Sequence, residues 1–459
     1  MKIAYIAAGA AGAYCGACIR DAALVKALIS LGHEVVLLPV YTPLREDGEG
    51  FSSNRIFLGG LNVYLQQVSV LFGRLPPAVR SLLDSPGLLR AISSLAVETR
   101  PEKLGPMTVS MLRGPEGRQR AEIERLVEHI RSSVRPDAVH LSNALLAGLA
   151  PAVREGAGVP IACSFSGEDS FLERLPEPFR SEAWKTLRRQ AAAVDLFFAS
   201  YDGYADEMSA RLGVDRNRVR TVRTCVNAQR YGSFPSDARS IMPSVERGQR
   251  GGVLPFHIGF IGRLCREKGV DLLGEAFVLV ARRRPGSVML TMAGRVGGSD
   301  RAYWEAIRKK MREEARGCFF EYLGEISFYE KVRLLKRIQV LAAPSRQVER
   351  AAVACIEALV AGVPVIAPHR GVFADIAEMT GGVLLVRPED PGAIAEAFEA
   401  LMDDPPGRER MAADAARRAA AVYDAVRAAK ETEAAYRDIV SGAGGPSLPS
   451  PMAGSERKG

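Results

Sequence analysis

The pattern that most restricts the fold is a short apolar run, a glycine-rich turn and an amphipathic helix, met at the start of the chain and again from Phe256. The first copy runs from Lys2 to Ala8, ends in Gly9, and leads to a helical stretch from Asp21 to Leu31 with apolar residues at Leu24, Ala27, Leu28 and Leu31. Gly32-His33 then opens Glu34-Val35-Val36-Leu37-Leu38-Pro39, a second strand. Apolar residues three and four apart give a helix one core-facing side, whereas an unbroken apolar run suits a strand buried on both faces. Strand, loop, helix and strand of this kind begin a doubly wound parallel sheet, in which ligands bind where strands end and loops begin.

The second copy starts with Phe256-His257-Ile258-Gly259-Phe260-Ile261-Gly262. Candidate strands follow at Val288 to Ala293, Phe319 to Leu323, Val340 to Ala343, Val363 to Ala367 and Gly382 to Val386, with helices at Val270 to Arg283, Arg301 to Ala315 and Glu330 to Lys336 between them. In the first half the same alternation is carried by strands at Ala138 to Leu141, Pro160 to Ser164 and Leu196 to Ser200, and by helices at Arg118 to Ser133, Leu145 to Glu155 and Tyr204 to Leu212. A chain of 459 residues exceeds what one hydrophobic core usually serves. We therefore expect an α/β protein of two doubly wound, Rossmann-like domains facing across a cleft. The first spans 1–230 and the second 256–418, with a linker at 231–255 rich in Pro, Ser, Gly and Arg. Ala412 to Val440 reads as helix, and its part over 419–440 is free to cross back to the first domain; the tail over 441–459 has a disordered composition.

Charge excludes little but narrows the partners. The 61 Lys and Arg against 53 Asp and Glu leave a net +8, a mild excess that suits phosphate-bearing ligands or an anionic surface, and no Lys/Arg tract resembles a nucleic-acid arm. The opening MKIAYIAAGAAG is too short an apolar run for a secretory segment, and no charge-free run approaches the roughly 18 residues of a membrane span. A cytoplasmic protein is expected. Between Thr42 and Lys103, apolar segments such as Val68 to Phe72 and Leu88 to Ile92 are broken by Pro76-Pro77 and Pro86 and dotted with Arg74, Arg80 and Arg90. They read as short helices capping the sheet; the alternative is a basic amphipathic surface over 68–95 that touches the inner membrane face peripherally.

Pro344 to Pro368 carries two carboxylates eight positions apart, Glu349 and Glu357, before Gly362 and the apolar Val363-Pro364-Val365-Ile366. At roughly 100° per residue that step would put both on nearly one helical face, within reach of one ligand. With Glu349 in the loop before the helix, the helix N-terminus would add N–H groups suited to an anion or polyol. Two solvated glutamates are the plain alternative.

These residues, taken in order, resemble the retaining, nucleotide-sugar-dependent glycosyltransferases of family 4, which have the two-domain GT-B fold. Gly262-Arg263-Leu264-Cys265-Arg266-Glu267-Lys268-Gly269 is similar to that family's GRL-x-x-x-KG element, and Pro344-Ser345 leads into Glu349-x7-Glu357 and Ala361-Gly362-Val363-Pro364-Val365. The resemblance implies transfer of a sugar from a nucleoside diphosphate to an acceptor hydroxyl, carbohydrate or lipid-linked, with retention at the anomeric carbon. Arg263 and Lys268 would hold the diphosphate as its charge grows, Glu357 the ribose hydroxyls, and Glu349 the donor sugar near the reacting carbon. Ile326 would meet the base, and Gly16 would let backbone approach the diphosphate. No Asp-x-Asp occurs in the chain, so neither a metal nor another cofactor is expected. Glu168 and Asp169 are candidates for acceptor contacts, with surface charges on a loop as the alternative. His140 is a third, with a satisfied histidine at a strand end as its alternative.

The chain also departs from that family. Ser166 stands where a His contacts the donor sugar, Arg350-Ala351-Ala352 where Pro-Phe-Gly is usual, and Thr224-Cys225-Val226-Asn227 where Asn-Gly-Val-Asp is usual. A nucleotide-binding protein of the same fold with impaired catalysis is therefore an alternative. Tyr14-Cys15-Gly16-Ala17-Cys18 also has the form of a dithiol motif at a helix start, which makes redox chemistry by Cys15 and Cys18 a further one. A dinucleotide-dependent oxidoreductase fits less well, because the first loop does not spell G-x-G-x-x-G and the second strand ends without a ribose-binding acid. Seven cysteines, an odd number with one close pair, do not suggest a disulfide scaffold.

Overall fold

Two parallel six-stranded sheets organise the protein in its computed structural model, which describes residues 1–8, 16–40, 101–232, 255–315 and 317–442. In the first half the strands are β1 (Lys2–Ala7), β2 (Glu34–Pro39), β3 (Ala138–Leu141), β4 (Ile161–Ser164), β5 (Leu196–Ala199) and β6 (Val219–Thr221), in the order β2-β1-β3-β4-β5-β6. The second half has β7 (Phe256–Ile261), β8 (Val288–Ala293), β9 (Phe319–Tyr322), β10 (Val340–Ala342), β11 (Val365–Pro368) and β12 (Val383–Val386), in the order β12-β11-β10-β7-β8-β9. The direction of winding reverses between β1 and β3 and between β7 and β10, which makes the carboxyl ends of those strands the natural ligand positions.

The helices of the first half are α1 (Gly16–Ser30), α2 (Pro101–Leu112), α3 (Arg120–His129), α4 (Ala150–Ala157), α5 (Glu168–Leu172), α6 (Phe179–Ala191), α7 (Asp202–Leu212) and α8 (Gln229–Gly232). Those of the second are α9 (Val270–Arg283), α10 (Arg301–Glu314), α11 (Phe328–Leu335), α12 (Val353–Val360), α13 (Val372–Thr380), α14 (Pro391–Asp403), α15 (Pro405–Val422) and α16 (Ala425–Val440). Helices on both faces explain why Ile3 to Ala7 and, apart from Thr291, Val288 to Ala293 are apolar without alternation: both sides of each strand are buried. One hydrophobic cluster runs through both halves, joining Phe165, Leu172 and Tyr204 to Val353, Ile356 and Leu359.

Two of the elements that differ from the sequence reading have a visible cause. Leu145 to Glu155 splits into a 3-10 turn, Ala144–Leu149, and α4, because Pro151 sits in the first turn of α4, where its missing N–H costs nothing. The long C-terminal helix breaks at Tyr423-Asp424. The Asp424 side chain accepts a hydrogen bond from the Arg427 N–H and caps α16, while the Tyr423 carbonyl accepts from Val226 N–H at 2.9 Å. The break turns the chain from the α12–α13 surface, on which α15 packs, onto α1, where α16 buries Tyr436 and Ile439. No helix among the described residues is long and apolar enough to cross a membrane. The segment 68–95, Cys15, most of the linker and the tail from residue 443 lie outside the described residues.

Candidate active site

The β7 and β10 loops form one surface at the switch point of the second sheet. Gly269, with φ +68°, makes this possible: a Cβ there would stand 1.9 Å from the Pro344 carbonyl oxygen. Ser345 and Arg346 then bond the Glu267 carbonyl at 3.2 and 2.9 Å. The β10 loop is backed in turn by Gly371, whose φ of +60° and close approach to the Glu349 backbone leave no room for a side chain.

Glu349 lies on this loop. Its Oε1 accepts from Lys268 Nζ at 2.5 Å, Ser345 Oγ at 2.7 Å and Gln347 Nε2 at 3.1 Å. Burial opposes ionisation, but the Lys268 charge and these donors outweigh it and hold the carboxyl below the usual range, so Glu349 is a carboxylate. Glu357, in α12, is buried and serves different partners: its Oε1 accepts from Lys331 Nζ of α11 and from the Tyr231 hydroxyl, each at 2.5 Å. The shared helical face expected from the eight-residue spacing is therefore not what relates them, because α12 starts only at Val353 and Glu349 precedes it. Arg263 is exposed; its carbonyl accepts from the Cys265 N–H at 3.1 Å, and its side chain makes no hydrogen bond or ion pair with the described residues. Ile326 is half-buried between Gly324 and the capping box of Ser327 and Glu330 that starts α11.

The first half faces this surface with the N-terminus of α1. A Cβ on Gly16 would lie 3.4 Å from Val353 Cγ2, so the positive ends of α1 and α12 meet across the gap. Ser166 follows β4. Its hydroxyl donates to the Ser142 carbonyl at 2.8 Å and accepts from Arg20 Nη2 at 3.0 Å, so the position is tied to an α1 cation that sequence reasoning missed. Arg20 is itself paired with Asp21 at 2.7 Å. Cys18 lies half-buried on α1.

Three proposed acceptor contacts are placed differently from the expectation. His140 does not border the cleft. It is fully buried, stacked against Tyr5 at 4.5 Å, and bonded through Nδ1 to the Tyr436 hydroxyl (2.5 Å) and through Nε2 to Ser164 Oγ (2.9 Å). Burial lowers its pKa to about 3. Glu168 is turned inward and accepts the backbone N–H groups of Ala144 and Ser166 at 3.0 and 2.6 Å. Asp169 is buried as well, with Tyr204 OH on Oδ1 at 2.9 Å and Arg350 Nη2 on Oδ2 at 2.5 Å. Neither is a loop surface charge.

Ala352 stands where the resemblance expects glycine, and the reason for glycine is visible: its φ is +45° and ψ +44°. An alanine held there costs roughly 1–2 kcal/mol, part of which is returned by its smaller unfolded-state entropy. Ala352→Gly is expected to raise the unfolding free energy by about 0.5 kcal/mol, read as a small upward shift of the urea midpoint.

Both halves of the chain match known protein families. Residues 254–418 match the family described as glycosyl transferases group 1, and residues 98–230 match glycosyltransferase family 4. The chain is a GT-B glycosyltransferase of the family 4 type. Glycogen synthase of Mycobacterium tuberculosis is 26% identical to the enzyme over 316 residues, covering 66% of this chain and 69% of the relative. D-inositol 3-phosphate glycosyltransferase 2 of Catenulispora acidiphila is 26% identical over 406 residues, covering 82% and 88%. Among solved structures, sucrose-phosphate synthase from Thermosynechococcus elongatus superposes with a TM-score of 0.67 at 16% identity, covering 96% and 99% of the two chains. Anabaena HepE, in complex with UDP, gives 0.63 at 16% identity, covering 95% and 100%. The transferase acts with a nucleotide-sugar donor, and neither the redox reading nor that of a binding protein is favoured.

Proposed function

We propose that the enzyme binds a nucleoside diphosphate sugar on its second half and moves the sugar, with retention of configuration and without a metal, to an acceptor hydroxyl presented by its first half. The observation that carries this reading is the convergence of Lys268, Glu349, exposed Arg263 and the N-termini of α1 and α12 at the switch point of the second sheet. An ammonium has three donors, and Glu349 engages Lys268 through one oxygen, so Lys268 can bind a phosphate oxygen while still holding Glu349 in place. Arg263 adds a planar fork at the leaving diphosphate. These cations stabilise charge where the glycosidic C–O bond breaks. Ionised Glu349 then faces the electron-poor anomeric carbon, and the departing phosphate takes up the acceptor proton. Glu357, behind them, would accept from the ribose hydroxyls, and Ile326 would contact the base.

Calorimetry with UDP, GDP and ADP tests the donor site. Lys268→Ala is expected to weaken the preferred nucleotide about tenfold or more, the loss of a charge-assisted hydrogen bond; binding indifferent to Lys268 would remove it from the diphosphate. A transfer screen over several nucleotide sugars would then identify the sugar, and the anomeric configuration of its product decides retention.

A further inference from the structure

Glu349 and the next residue, Arg350, point into opposite halves of the enzyme. While Glu349 is held by Lys268, Ser345 and Gln347, the Arg350 side chain leaves the second half and is buried in the first. Its Nη2 and Nε reach Asp169 Oδ2 at 2.5 and 3.2 Å, and its Nη1 reaches the Tyr201 hydroxyl and Glu207 Oε2, both at 2.8 Å. The guanidinium carbon lies 4.3 Å from the centre of the Tyr204 ring, and the Ser200 hydroxyl donates to the Arg350 carbonyl. Two carboxylates and an aromatic face around one planar cation make a socket that a lysine could fill only in part. Gly167 shapes its rim: a Cβ there would stand 3.5 Å from Arg350 Cγ, on a residue with φ +91°.

Other ion pairs cross between the halves, Arg223 with Asp375 and Arg174 with Glu267, but their side chains keep 16–40% exposure, against 7% and 5% for Arg350 and Asp169. Exposed pairs contribute little, whereas removing one partner of a buried pair leaves the other charge buried and uncompensated. Of these three pairs, the socket is the one whose disruption by mutation costs the closed enzyme most: without Arg350, Asp169 stays buried without a counter-charge until the halves part and water reaches it.

We propose that Arg350 is a positioning residue: seated in the Asp169–Tyr201–Tyr204–Glu207 socket, it holds the two halves closed and thereby fixes where Glu349 stands relative to an acceptor on the first half. The inference rests on the reading of Glu349 as the carboxylate facing the donor sugar. It also explains why Pro-Phe-Gly is absent here, since a proline could not make these contacts.

The test uses the full chain without nucleotide, as wild type, Arg350→Ala, Arg350→Lys and Asp169→Asn. Small-angle X-ray scattering of Arg350→Ala should give a larger radius of gyration, and amide exchange at 200–204 and 349–353 should rise at least tenfold. Arg350→Lys should fall between it and wild type. Asp169→Asn, which keeps the side-chain shape, should move both readouts in the same direction, and it carries the test should Arg350→Ala fail to fold. UDP affinity should stay within about twofold of wild type. With the donor and acceptor found by the transfer screen, kcat of Arg350→Lys should drop about 100-fold at a donor KM within about threefold, the signature of a misplaced group. Unchanged scattering and exchange in the folded variants would overturn the proposal. So would a tenfold loss of UDP affinity without opening, which would put Arg350 in the nucleotide site. Absence of any nucleotide binding by the wild type would instead sink the donor-site reading and leave the scattering result standing.

Discussion

Glu357→Leu is expected to lose both nucleotide binding and about 3–5 kcal/mol of stability, because it strips a buried lysine of its carboxylate. Lys331 and Glu357 are 5% and 3% exposed, and Tyr231 OH shares the same carboxylate oxygen. An ammonium left there must stay charged in a poor dielectric or give up its proton, and either is costly. Differential scanning calorimetry should show the melting temperature falling by roughly 10 °C for a domain of this size. The double variant Lys331→Met, Glu357→Leu separates the two roles. Replacing a buried ion pair by apolar groups of similar volume is often neutral, so the double variant should recover most of the melting temperature and still fail to bind UDP in calorimetry. Wild-type UDP affinity in the double variant would take Glu357 out of the donor site; an unchanged melting temperature in Glu357→Leu would show that the pair contributes no stability.

The sequence made the fold legible where apolar runs meet turn residues. Ala138–Leu141, Val288–Ala293 and Val270–Arg283 fall at the expected residues, because burial on both faces of a strand, or on one side of a helix, writes a local pattern. Pairing partners are not written locally. Arg350 reads from sequence as a change of side-chain shape beside the sugar, yet its partners stand 181 and 149 positions away, at Asp169 and Tyr201. The same holds for Glu357: the spacing draws attention to it, but that Lys331 and Tyr231 close on it depends on how α11 and α8 pack against α12. His140 shows the opposite case. A histidine inside Val139-His140-Leu141, an apolar strand, already carries the signal of a buried and satisfied ring, and it is found stacked between Tyr5 and Phe198.

Lowering the pH from 7 to 5 is expected to cost the enzyme roughly 1–2 kcal/mol, the small difference of two opposing effects. Burial lowers His140 to about 3 and His257 to about 4, while an unfolded histidine titrates near 6.5. In this range the unfolded chain binds the protons and the folded one does not. The stability from these rings is whole above about pH 6.5 and is lost as the pH falls toward 4 and 3, on the order of 2 kcal/mol each by pH 5. Glu168 works the other way. Burial raises its pKa to about 7 against its donors, Ser166 N–H and Ala144 N–H, so the folded state takes a proton that an unfolded glutamate near 4.5 does not. Its contribution is whole below about 4.5 and lost as the pH rises through 7, which returns roughly 2 kcal/mol between pH 7 and 5. Urea unfolding at the two pH values separates these effects. Glu168→Gln cannot titrate, so whatever it costs at pH 7, its further loss at pH 5 should grow to roughly 3–4 kcal/mol. His140→Asn removes one of the opposing rings and should be nearly level between the two pH values. Equal slopes for wild type and Glu168→Gln would mean that Glu168 is ionised in the folded enzyme at pH 5, and that its two backbone donors outweigh burial.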